Sequence, residues 1–210
     1  MKKTVIITSY IENSLNLGEF IDSDDFVICT DGGYDIASRS GIIPDLIMGD
    51  FDSVTSPLPD NIRAIEFNPE KDFTDLDLAL KFSAENDFSD VIIAGGIGGR
   101  LDHTVANLQL LSHYCCSFSS LIMLDGRNKC FVVDSRKRST IVIPAEEDSY
   151  LSFFSLSEKC TGVTLRGVKY TLDRYTLTQD FPLGVSNEFI KKEAVVSIEN
   201  GTLLVVISKK

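Results

Sequence analysis

Histidine is scarce in this 210-residue chain, which carries only His103 and His113, and a histidine-rich metal site is thereby excluded. Basic residues are in the minority, 20 Lys and Arg against 31 Asp and Glu, for a net charge of −11. Such a chain repels a phosphate backbone, so no nucleic-acid partner is expected. Long apolar runs are missing too. None approaches the roughly 18 residues that cross a bilayer, so no membrane partner is expected. The opening MKKTVIITSYIENS has two lysines but only a short apolar stretch, and it reads as a first β-strand rather than a signal peptide. Cys29, Cys115, Cys116, Cys130 and Cys160 are odd in number and form no C-x-x-C. That pattern argues against a disulfide framework or a zinc site and for a reducing, cytoplasmic setting.

What is present is ordinary for a globular chain, 43% hydrophobic and 24% charged, and long enough for one large domain or two small ones. Over the first two-thirds, short β-branched runs (4–8, 26–30, 46–49, 64–67, 91–95 and 121–125) read as buried strands. Helical patterns lie between them. Residues 75–86 place Leu76, Ala79, Leu80 and Ser83 on one face, and residues 103–115 place Val105, Leu108 and Leu111 on a stripe. Strands alternating with helices predict an α/β, mainly parallel, Rossmann-like sheet. From about Cys130 the helical period disappears, and apolar runs follow one another across short polar turns. That spacing predicts an antiparallel β-sandwich or flattened barrel. The basic stretch 135–139 suggests domains of 1–135 and 136–210.

Ligands of open α/β sheets bind outside the carboxyl ends of the strands. Those ends carry Asp31-Gly32-Gly33, then Asp50-Phe51-Asp52-Ser53, then Lys71-Asp72-Phe73-Thr74-Asp75-Leu76-Asp77, then Gly95-Gly96-Ile97-Gly98-Gly99-Arg100-Leu101-Asp102-His103. Carboxylates gathered at one rim repel each other unless a cation neutralises them. With oxygen donors and no Cys or His cluster, the fitting cation is Mg²⁺ or Mn²⁺, and Asp50-x-Asp52 suits it. Glycines before a helix start let backbone N–H groups approach phosphate. Arg100 and Lys71 are candidate cations for the same anion. The pattern describes a metal–polyphosphate site. Each piece also has a plainer reading: Asp31-Gly32-Gly33 as a turn, Asp52 or Ser53 as a helix cap, Thr74-x-x-Asp77 as a capping box, Asp102 as an N-cap, and His103 as a packed first-turn residue.

GDFDS (49–53), KDFTDLDLAL (71–80), GGRLDH (98–103) and GVSNEF (184–189), with DGG (31–33) ahead of them, resemble the thiamine pyrophosphokinase family in order and spacing, from about residue 26 to the C-terminus. The resemblance implies an α/β domain, a C-terminal β-sandwich, and a homodimer with active sites at the subunit interface. It implies transfer of diphosphate from ATP to thiamine, giving thiamine diphosphate and AMP. On matching positions it implies Mg²⁺ and ATP phosphates at Asp50 and Asp52, and a phosphate and metal region at Asp72, Thr74 and Asp75. It implies nucleotide and transferring group near Gly98, Gly99, Arg100 and Asp102, and thiamine near Ser186 and Asn187. Asp75 or Asp102 is the candidate base, and Asp75 a third metal ligand. Asp31, Gly32, Gly33, Lys71 and His103 complete the expected nucleotide surround. Some relatives carry Trp near thiamine, where this chain has no Trp. Two rivals remain: a haloacid-dehalogenase-type phosphatase using Asp50 as nucleophile, and a thiamine- or nucleotide-sensing binding module.

Overall fold

The computed structural model describes residues 3–12, 14–68 and 72–210. The chain divides into two compact units, residues 1–110 with 117–126, and residues 111–116 with 127–210.

In the first unit the apolar runs form β1 (Thr4–Ile7), β2 (Phe26–Thr30), β3 (Leu46–Gly49), β4 (Arg63–Glu66), β5 (Asp90–Ala94) and β6 (Ser120–Leu124). The helices are α1 (Gly33–Arg39), α2 (Asp75–Glu85) and α3 (Leu101–Tyr114), of which residues up to Leu110 fall in this unit. Every strand pair is parallel, in the order β6-β5-β1-β2-β3-β4. The near-continuous apolar character of β1 and β2 follows from burial on both faces. Val5, Ile7, Val27 and Cys29 pack with Tyr34 and Ala37 of α1, while the alternate residues Ile6 and Ile28 point the other way and are fully buried. Helix α2 packs on β1, β2 and β3, and Leu76, Ala79, Leu80 and Ser83 are its buried residues, as its periodicity predicts. Burying a Leu or Ile of this kind contributes roughly 1.5–3 kcal/mol. The edge strand β4 is short, and Arg63, Ala64 and Glu66 on it are exposed.

Helix α1 has too few turns to show a period in the sequence, and the spacing did not predict it. Gly33 sits in its first turn against β1, where an added Cβ would lie 2.2 Å from the Ile7 carbonyl oxygen. The stripe expected on α3 holds only in part. Leu111 is buried, but Val105 is half exposed, and the other buried residue of the helix is polar Asn107. Asn107 Nδ2 donates to the Gly96 carbonyl at 2.8 Å, so this helix is fixed to the loop before it by a hydrogen bond where an apolar contact was expected.

In the second unit β7 (Asn128–Asp134), β9 (Ser149–Ser155), β12 (Gly184–Glu188) and β14 (Thr202–Lys209) form an antiparallel sheet in the order β12-β9-β14-β7. The remaining strands, β8 (Thr140–Pro144), β10 (Lys159–Arg166), β11 (Leu172–Thr178) and β13 (Glu193–Ser197), form a second in the order β11-β10-β13-β8. Inward residues of both sheets, among them Val133, Phe153, Val163, Leu165, Val196 and Val205, make one shared core. That is a β-sandwich. Among the described residues no helix is long and apolar enough to cross a membrane.

Candidate active site

The chain runs outward from β1 through β2, β3 and β4, then returns to the other flank of β1 as β5 and β6. A doubly wound sheet opens a crevice at such a reversal, at the carboxyl ends of its strands. The loops after β1, β2, β3 and β5 meet there. Ser9 Oγ donates to the Thr30 carbonyl at 3.2 Å, Gly96 N–H donates to the Tyr10 carbonyl at 2.9 Å, and Phe51 N–H donates to Asp31 Oδ1 at 3.3 Å.

Asp31 is the buried centre of the acidic rim. Its carboxyl is pushed up to about 7, first by burial, then by a hydrogen bond and charge contact with Asp75, with Asp50 adding to the repulsion. Asp31, Asp50 and Asp75, read from three separate strand ends, are therefore neighbours. Asp50 Oδ1 accepts the Asp52 N–H at 3.2 Å, which places Asp52 directly beside the group. Gly49 makes the approach possible, since a Cβ there would fall 1.6 Å from Asp31 Oδ1.

Between the two carboxylates of the β3 loop, Phe51 has φ of +60°. A bulky residue in that region is strained by about 1–3 kcal/mol and persists where the surroundings enforce it. Here its ring packs against the core of the first unit and its amide is held by Asp31. Beyond it, buried Asp35 of α1 accepts Thr55 N–H and Thr55 Oγ1, each at 2.9 Å, and Ser56 N–H at 2.7 Å. Bonds from the Ser56 side chain and from Thr55 hold its carboxyl far below the usual range. Phe51, Asp35 and Gly49 shape the loop, and the sequence reading singled out none of them. The available signal was a bulky aromatic between two acids after a glycine.

Thr74 caps α2 by accepting the Asp77 N–H at 3.2 Å, the Thr74 half of the capping box, and Asp75 is the first helical residue. Asp72 is exposed just before it. Lys71 lies outside the described residues. Gly32 precedes α1, with Ser9 and Ser53 side chains in van der Waals reach of the Cβ it lacks.

In the glycine loop, the φ values of Gly95, Gly96, Gly98 and Gly99 are all positive, between +62° and +89°. The amides of Gly95, Gly96 and Gly98 donate to Leu124 O, Tyr10 O and Thr104 Oγ1 respectively. These glycines thus serve a tight, internally bonded turn, with the Tyr10 ring lying against Gly98 and Gly99. Arg100 and Asp102 are exposed and paired, Nε to Oδ1 at 3.2 Å and Nη2 to Oδ2 at 2.6 Å. The guanidinium holds the Asp102 carboxyl below its ordinary value. Asp102 lies in the first turn of α3, which begins at Leu101, so it does not cap the helix. His103 beside it is exposed.

In the second unit Ser186 has φ of +58°, is exposed, and donates its N–H to Ser152 Oγ at 3.0 Å. Asn187 is buried. Its Oδ1 accepts Tyr170 N–H and Glu188 N–H, each at 3.0 Å, and its Nδ2 donates to the Tyr170 carbonyl at 2.8 Å. Its amide is a latch on the turn at Tyr170.

A Rossmann-like unit with carboxylates gathered at its topological switch point, joined to a β-sandwich, has the parts of a phosphoryl-transfer enzyme. The family model "Thiamin pyrophosphokinase, catalytic domain" matches residues 17–123, and "Thiamin pyrophosphokinase, vitamin B1 binding domain" matches residues 138–204. The chain is 31% identical to the thiamine pyrophosphokinase of Bacillus subtilis, over 99% of each chain. A crystal structure of thiamine pyrophosphokinase from Bacillus subtilis superposes with a TM-score of 0.88 at 30% identity, covering 99% of this chain and 100% of that one. The thiamin pyrophosphokinase of Geobacillus thermodenitrificans gives 0.85 at 26% identity, covering 99% and 98%. The chain belongs to the thiamine pyrophosphokinase family.

Proposed function

We propose that this chain transfers the diphosphate of ATP to the hydroxyl of thiamine, releasing AMP, with Mg²⁺ as cofactor. The observation that carries the reading is the meeting of Asp31, Asp50 and Asp75, with Asp52 alongside, at the carboxyl ends of β2 and β3 and the start of α2. Family membership supports the choice of substrates.

The donor set fits a hard cation. It is all oxygen, and Asp31, pushed up first by burial, also feels the charges of Asp75 and Asp50 close by. Asp50, Asp52 and Asp75 would hold Mg²⁺, which when bound neutralises phosphate charge and fixes phosphate oxygens. The chain's own residues do the remainder. An open pocket of about 540 Å³, lined in part by Ser9, Tyr10, Gly32, Arg39 and Ser53, gives room for the nucleotide beside the acids. Asp72, Thr74, Gly33, His103 and the Gly98-Gly99 turn would complete its surround, with Lys71 a candidate cation for the phosphates.

The thiamine hydroxyl attacks the β-phosphorus and the bond to the α-phosphate oxygen breaks, so AMP departs. The hydroxyl proton passes to a carboxylate late in the step. Asp75 and Asp102 are the two candidates; Asp75 is hydrogen-bonded to Asp31 and Asp102 is paired with Arg100. Arg100 can swing from Asp102 to the transferring phosphates, since both side chains are exposed. The acidic rim favours the thiazolium cation. The second unit contributes thiamine contacts and the homodimer interface, with Ser186 as a direct contact and Asn187 acting through the turn it latches. The enzyme works in the cytoplasm.

The test is AMP release from Mg·ATP with and without thiamine, alongside Asp52→Ala with its fold checked by melting. Thiamine-dependent AMP matched by thiamine diphosphate, and lost in the variant, is the expected result. Phosphate release that ignores thiamine would instead establish the hydrolase, and binding without turnover the sensor.

A further inference from the structure

The steps above leave the adjacent pair Cys115 and Cys116, just past α3, without a role. Cys115 is buried and Cys116 exposed. Their sulfurs stand 3.7 Å apart, and Cys115 Sγ lies 3.8 Å from Asp134 Oδ2 at the end of β7. All three donor atoms fall within 4.8 Å of one another. The missing C-x-x-C spacing argued against zinc. The fold instead supplies the third donor from a strand nearly twenty residues further along the chain.

Two of the three separations match a specific geometry. A tetrahedral ion holding two thiolates at about 2.3 Å and a carboxylate oxygen at about 2.0 Å sets sulfur from sulfur about 3.8 Å and sulfur from oxygen about 3.5 Å. The Cys115–Cys116 and Cys115–Asp134 separations lie within a few tenths of an ångström of these values, and Cys116 Sγ stands within 4.8 Å of the Asp134 carboxylate. The carboxylate is already oriented. Asp134 Oδ1 accepts Arg136 N–H at 2.9 Å and Nε at 2.8 Å, and Oδ2 accepts Arg136 Nη2 at 2.9 Å and Thr202 Oγ1 at 2.7 Å. Metal-ligating carboxylates are characteristically fixed by such outer hydrogen bonds. An ion at Oδ2 takes the place of the weak Cys115 S–H contact. The charges balance, since two thiolates and one carboxylate offset a divalent cation and the Arg136 guanidinium.

We propose that Cys115, Cys116 and Asp134 form a site for a thiophilic divalent cation of the zinc class, with its fourth position open to solvent on the exposed Cys116 side. Binding releases the thiol protons, because thiolates are the ligands. The site is independent of the acidic rim in donor type: sulfur here, oxygen alone there.

The experiment uses the full chain, reduced and freed of metal by a chelator, in saturating Mg²⁺ so that the carboxylate rim is occupied. Co²⁺ is titrated in and the near-ultraviolet thiolate-to-cobalt band is followed, then Zn²⁺ is added to displace it. The expected result is a band that saturates at one equivalent and is abolished by Zn²⁺. In Cys116→Ser, whose exposed side chain carries little of the fold, binding should weaken by more than about tenfold, the least expected when a direct ligand is lost. Absence of a thiolate band in the parent chain, or an unchanged titration in a Cys116→Ser protein that melts normally, would overturn the proposal.

Discussion

Asp35→Ala should be costly to both stability and turnover, since Asp35 lines the pocket proposed for the nucleotide and anchors a loop beside it. The buried carboxylate accepts the backbone amides and the hydroxyls of Thr55 and Ser56, and so ties the segment after Asp50-Phe51-Asp52 to α1. A hydrogen bond to a charged group is worth about 1.5–3 kcal/mol, and such bonds do not add when they share one acceptor. Partial rescue of the amides by water lowers the sum further. We expect a loss of about 2–4 kcal/mol in urea unfolding at pH 7. Asp35→Asn should recover little, because its NH₂ group would face N–H donors. Turnover should fall by tenfold or more, on the order expected when a loop carrying carboxylates of the proposed phosphate site shifts by a fraction of an ångström. The stability effect has a defined pH window. The folded carboxyl is held below its ordinary value, so its contribution is complete above the unfolded value of about 3.9 and is lost as pH falls beneath it. The gap between parent and variant should therefore be full at pH 7 and narrower at pH 3. A loss under about 0.5 kcal/mol at pH 7 is the size of an ordinary surface change, and it would refute the anchoring argument, as would a gap that widens on acidification.

Gly49→Ala places a methyl 1.6 Å from Asp31 Oδ1, so turnover should be lost and the melting temperature should drop. Gly41→Ala, with a similarly restricted φ of +69° but nothing within 4 Å, should cost only the backbone term of about 1–2 kcal/mol and keep its activity. Phe153→Ala, in the centre of the sandwich core, should lower urea-unfolding stability by about 3–5 kcal/mol. Asn187→Ala strands the Tyr170 and Glu188 backbone groups it now bonds. A loss of about 1–3 kcal/mol with a raised KM for thiamine is expected, and an unchanged KM would remove the latch from the proposed thiamine site. Mg²⁺ should raise the melting temperature of the parent chain, and Asp52→Asn should blunt that response.

The sheet was legible because its signal is local. β2 and β3 run over the residues that the apolar runs mark, and α2 buries the four residues its period selects. The acidic rim was legible once strand ends were read as one place, since β-sheet order converts separate loops into neighbours. What escaped needs distance information. Helix α1 is too short for a period, and Asn107 replaces an apolar contact on α3 with a hydrogen bond to Gly96. Asp35 carries no motif, and its role depends on donors from Thr55 and Ser56 that only the fold brings to it. Cys115 and Cys116 carried no spacing motif because their third neighbour, Asp134, arrives from another strand. Asn187 sat in a recognisable segment, yet its engagement with Tyr170 depends on a turn seventeen residues earlier in the chain.

The outer strands also bear on how this chain behaves in a concentrated or crowded solution. A free strand edge is a template for another chain, and long flat ones seed aggregates. β4 is four residues long and carries Arg63 and Glu66 outward. β8 ends in Pro144, which has no amide to offer. β11 and β12 are broken in register, with Arg174 and Ser186 at positive φ. Each of these edges is a poor match for a second copy of itself, so sequence changes that straighten them, such as Pro144→Val or an apolar residue at Arg63, carry a solubility hazard that no assay of folding or turnover would reveal.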